Sequence, residues 1–107
     1  MDFEKIIKAL KGIHFVVLRS DDAGYFEAVI TGEQLQRLIG QLDFFFGKAV
    51  FPSKNKLTSG ILRDINAFGG IMPGQTLYYS RGNDGVIFAM LWPWQDKEHI
   101  TIKIVKK

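Results

Sequence analysis

Ile100, Ile102 and Ile104 alternate with Thr101, Lys103 and Val105, a period of two that marks a strand over residues 99–105. An apolar run, residues 86–92, precedes it and itself follows the turn Gly82-Asn83-Asp84-Gly85. With residues 76–81 ahead of that turn, the C-terminal third reads as a three-strand antiparallel meander. Such a meander is expected to have one dry face and one wetter face.

The first third has a different rhythm. Residues 2–11 set Phe3, Ile6, Ile7 and Leu10 on one side of a helix and Lys5, Lys8 and Lys11 on the other, and Gly12 ends it. Residues 13–19 read as a strand, and Phe15-Val16-Val17-Leu18 is apolar throughout, which predicts cover on both faces. Ser20-Asp21-Asp22-Ala23-Gly24 is a turn, and residues 25–30 return as the second strand of a hairpin.

Thr31 then has the position of an N-cap, with Gln34 completing a capping box and Ile30 stapling onto Leu35. Leu35, Leu38, Ile39, Leu42 and Phe45 keep a helical period to Phe46, and Gly47 stops it. Residues 47–57 form a loop. Thr58 caps a third helix over residues 58–68, with Ile61, Ile65 and Phe68 inward, and Gly69-Gly70 terminates it.

The element order is therefore α-β-β-α-α-β-β-β. A hairpin and a meander most simply merge into one five-stranded antiparallel sheet with two or three helices covering one face, an α+β fold. Residues 1–107 fit a single domain.

Composition narrows the function classes. The chain has no cysteine, which removes disulfides, thiolate metal sites and cysteine nucleophiles, and fits a reducing cytoplasmic setting. The opening Met1-Asp2-Phe3-Glu4-Lys5 lacks the apolar stretch of a secretory signal, and no run approaches the ~20 residues that span a bilayer, so no membrane role is expected. The net charge of +3, from 14 basic and 11 acidic residues, is a weak bias.

No catalytic or cofactor signature emerges. Residues 69–76 have the glycine spacing of a phosphate-binding loop, but Gln75 stands where the lysine belongs, and a helix leads into a strand rather than the reverse. His14 and His99 lie near strand ends without metal-ligand spacing; only a convergence with Asp21 or Asp22 would make them chemically interesting. The serines lack a nucleophile elbow. No enzyme, metal or cofactor is expected.

Interaction signals are clearer. Phe44 falls on the polar arc of the second helix, beside Glu33, Arg37 and Gln41. Either the following loop folds over it or a partner does. Trp92 and Trp94 flank Pro93 and share one face if the strand continues, as core closure or as a contact patch. With Phe51 in the loop, these residues point to a non-enzymatic interaction module, a homo-oligomer or a subunit of an assembly. The alternative is a single-stranded nucleic-acid-binding domain. Lys48, Lys54, Lys56 and Arg63 form an acid-free basic stretch, with Phe51, Tyr78, Tyr79, Trp92 and Trp94 as candidate stacking faces.

Overall fold

The computed structural model describes residues 1–107 and places eight main elements in the expected order. They are helix α1 (Phe3–Leu10), strands β1 (Val17–Asp22) and β2 (Tyr25–Thr31), helices α2 (Leu35–Phe46) and α3 (Ser59–Asn66), and strands β3 (Thr76–Gly82), β4 (Gly85–Pro93) and β5 (His99–Lys106). All the strands join one antiparallel sheet in the order β1-β2-β5-β4-β3. Hairpin and meander merge where β2 meets β5, in the register Phe26↔Ile104, Ala28↔Ile102 and Ile30↔Ile100. No helix is long and apolar enough to cross a membrane.

Alternation along β4 assigns the two faces. Ile87, Ala89 and Leu91 pack with Phe3, Ile6, Ile7 and Leu10 of α1 and with Leu38 and Leu42 of α2. Val86, Phe88 and Met90 pack with Ile65 of α3 and Leu77 of β3, and Val50, Phe51, Leu57 and Phe68 close over them. The expected wetter face of the meander is thus covered by a helix of its own. The physical reason is that β4 is apolar at consecutive positions, so cover on one face alone would leave half of its side chains in water.

The N-terminal hairpin departs from expectation in the opposite sense. Ser20, Asp21 and Asp22 are ladder residues, paired with Glu27, Phe26 and Tyr25, and the turn shrinks to Ala23-Gly24. Gly24 supplies the left-handed φ of +86° that the tight turn requires. β1 is an edge strand, and Val16, Val17 and Leu18 are 46%, 45% and 52% exposed rather than covered on both faces. A continuous apolar run has the same appearance in a sequence whether its strand is central or outermost.

The other edge is closed. Val50 N–H donates to Leu77 O at 2.8 Å and Leu77 N–H donates to Phe51 O at 2.9 Å, so the α2–α3 loop runs against β3 as a short extra strand. Adjacent tyrosines then clamp β3 from both faces. Tyr78 Oη donates to Asp43 Oδ1 of α2 at 2.7 Å, and Tyr79 Oη donates to Asp64 Oδ2 of α3 at 2.5 Å.

Two of the helices start at a side-chain cap and one does not. Asp2 caps α1, its Oδ1 accepting from Glu4 N–H at 2.9 Å and from Lys5 N–H at 3.4 Å. Thr58 caps α3, its hydroxyl accepting from Ile61 N–H at 3.2 Å. Thr31 caps nothing, and Gln34 forms no box. Thr31 is held in the ladder opposite His99, Gly32 N–H donates to Glu98 O at 2.9 Å, and a 3-10 turn, Gly32–Gln34, intervenes before α2. Losing a working cap strands amide donors, so Thr58→Ala should lower the unfolding free energy by about 1 kcal/mol. Thr31→Ala should stay within about 0.5 kcal/mol of the parent. Urea denaturation of both variants checks this, and equal losses would return the capping role to Thr31.

Candidate interaction surfaces

Phe44 is 80% exposed, the most solvated large apolar residue in the chain. Asp43, the residue before it, points back to Tyr78, and Phe45 and Phe46 pack toward the core, so Phe44 is left on the outer side of α2. Its ring meets that of Phe45 edge to face, with centroids 5.2 Å apart. The loop that follows α2 does not fold over Phe44; it turns to β3 instead, where Phe51 is half-buried. Phe44 and Phe51 therefore do not meet in one patch.

Trp92 and Trp94 do lie on one face, as their spacing requires. Trp92 sits opposite Thr101 in the β4–β5 ladder, and Trp94 Nε1 donates to Thr101 Oγ1 at 2.8 Å. Their roles differ. Trp92 is half-buried, with Lys103 Nζ 3.9 Å from its ring centroid. Gly69, at φ +105°, lies so close that a Cβ there would meet the Trp92 ring at 2.5 Å. Trp94 is 39% exposed and sits at the surface between the His99 ring, 4.8 Å away, and the Arg19 guanidinium, 5.9 Å away.

His99 has a carboxylate partner, but from its own turn. Its Nδ1 lies 2.6 Å from Asp96 Oδ2. Asp96 Oδ1 accepts from the N–H groups of Glu98 and His99, at 2.9 and 3.0 Å. Asp21 is engaged elsewhere, 2.8 Å from Lys11 Nζ, and His14 is exposed in the α1–β1 connection. Asp96, Glu98 and His99 are close enough to share a cation, their ligand atoms within 4.8 Å, but the turn's own hydrogen bonds already account for the arrangement. The sequence reading missed this Asp96–His99 pair, although an aspartate followed three residues later by a strand start is a turn signal.

Lys48, Lys54, Lys56 and Arg63 are all exposed, and none forms an ion pair. Lys54 and Lys56 line an open groove of about 450 Å³ with Phe51, Leu57 and Leu62. The tyrosines do not offer free faces beside them. Tyr78 is buried, and burial and the bond to Asp43 push its phenol above its ordinary value. Tyr79 is half-buried against Asp64, and Asp64 also receives Arg81 at 3.6 Å and Lys107 at 3.4 Å. The Tyr79 hydrogen bond, joined by Lys107, holds the Asp64 carboxyl below its usual range.

No family model, curated protein or solved structure matches this chain.

The hydrogen bonds of the Asp96 turn have a pH consequence. Backbone N–H donation from His99, then from Glu98, brings the Asp96 carboxyl down from 3.8 to about 2. The folded value lies below the unfolded one, so the stabilisation is complete above the ordinary carboxylate range and is lost as pH falls through about 2. Asp96→Ala should melt below the parent at neutral pH, and the gap should close between about pH 5 and pH 2. Thermal melts across that range check it; a gap independent of pH would show that the carboxylate charge is not its source.

Proposed function

We propose that this protein is a small non-enzymatic interaction module of the cytoplasm, assembling with copies of itself or with another subunit. Phe44 carries the reading. Covering one phenylalanine side chain contributes roughly 1.5–3 kcal/mol, and its own chain leaves this one to water. Core needs do not explain it, because Leu38, Leu42, Phe45 and Phe46 already supply the inward face of α2. The apolar start of the open β1 edge, Val16 to Leu18, is a further surface without cover. Sedimentation equilibrium over a concentration series tests self-assembly. The expected result is a mass that rises above the 12.2 kDa of one chain and changes little with moderate salt.

A second reading, single-stranded nucleic-acid binding, is favoured by the four unpaired cations Lys48, Lys54, Lys56 and Arg63. If the three lysines contact phosphates, the Lys→Gln triple variant should bind oligonucleotides more weakly. Its log–log salt slope should be shallower by about 2, since each phosphate contact on a single strand is worth about 0.7. Fluorescence anisotropy with a labelled oligonucleotide checks both quantities. No binding by the parent protein near physiological salt would end this reading.

A further inference from the structure

The outer face of α2 has a pattern that its own chain does not use. Arg37, Gly40 and Phe44 are exposed and Gln41 half-exposed, at helical spacing along one stripe; Glu33 is exposed in the 3-10 turn before the helix, and Lys48 is exposed after Gly47, where the helix has ended. None of Glu33, Arg37 and Lys48 forms an ion pair. Gly40 lies in the helix interior, where glycine is disfavoured relative to alanine. Nothing in the chain requires it there, since a Cβ would meet no atom within 4 Å. Beside it, where α1 ends against α2, is a hollow of about 240 Å³ lined by Ala9, Gly12 and Ile13 of the α1 end and by Gln36, Arg37, Gly40 and Gln41 of α2.

We propose that the occupant of this face is a second copy of the chain. The two α2 helices pack antiparallel about a twofold axis that passes between Gly40 and Gln41. This rests on the self-assembly reading above and assigns its surface. The stripe is complementary to its own reverse. The axis sets Arg37 against Phe44 of the second copy, a guanidinium facing an aromatic ring. It sets Glu33 against Lys48 of the second copy, opposite charges. Gly40 meets Gln41, so the closest approach falls where a side chain is missing. The Phe44 ring enters the hollow beside Gly40, which has room for it. Each contact occurs twice, as an isologous interface requires.

Sedimentation equilibrium and thermal melts on one set of variants test the arrangement. Phe44→Ser and Gly40→Leu should each weaken dimerisation at least about tenfold, because they remove the central anchor or block the approach. Both monomers should melt no lower than the parent monomer, since both positions face water. Glu33→Lys and Lys48→Glu should each weaken the dimer several-fold, and the double reversal should restore it. That rescue is specific to the antiparallel register. A parent protein that stays monomeric throughout overturns both the self-assembly reading and this interface. A parent that dimerises with the same affinity as Phe44→Ser, Gly40→Leu and Glu33→Lys leaves self-assembly standing and overturns the α2 pairing. If that dimer is lost in Leu18→Lys, the contact lies on the β1 edge.

Discussion

The structure depends on β4 and β5 being buried on both faces. Val86 to Leu91 are buried without a gap, and Ile100, Thr101, Ile102, Ile104 and Val105 are buried beside them. Strand side chains alternate, so no single layer of helices can cover such a pair. The long α2–α3 loop follows from this. It carries the chain from the face that α1 and α2 cover to the face that α3 covers, and on the way it closes the β3 edge.

Polar groups pin this three-layer arrangement at β3. β3 is an outer strand, and its consecutive tyrosines project to opposite faces. Tyr78 reaches the aspartate of α2 and Tyr79 that of α3, so one dipeptide holds a helix to each side of the sheet. The third tyrosine, Tyr25, does similar work near the opposite edge. Its hydroxyl donates to Glu27 Oε1 at 2.5 Å, and Arg19 of β1 reaches the other oxygen of that carboxylate at 3.0 Å. Phenols that are buried, as Tyr78 is, or half-buried, as Tyr25 and Tyr79 are, resist losing charged acceptors, which makes these ties specific in register as well as stabilising.

With these needs met, the free surfaces can be counted. Phe51 and Trp92 are half-buried against the α3-side core. Trp94 is tied to Thr101 and His99. The β1 edge, the outer stripe of α2 and the groove beside Leu62 remain exposed. The first two differ in kind. The edge offers apolar side chains at Val16 to Leu18 and backbone groups, whereas the α2 stripe sets an exposed ring one turn from a helix glycine.

Local pattern by itself determined the elements and their order. Phe3, Ile6, Ile7 and Leu10 specify α1, Thr58 specifies the start of α3, and the period-two isoleucines specify β5, because each signal is complete within a few residues. Phe44 was legible as an anomaly for the same reason: a helical wheel needs only the helix. Tertiary structure decided which apolar runs would be covered. Phe15 to Leu18 and Val86 to Trp92 look alike in the sequence, yet one lies at an open edge and the other in the middle of the sheet. Strand order, not side-chain chemistry, separates them. The same holds for Thr31, whose hydroxyl was free to cap a helix until pairing with His99 drew its backbone into the ladder. It holds for His99 as well, which found its carboxylate in Asp96 of its own turn because the sheet keeps Asp21 beside Lys11. Long-range pairing sets these outcomes, and no window of neighbouring residues contains it.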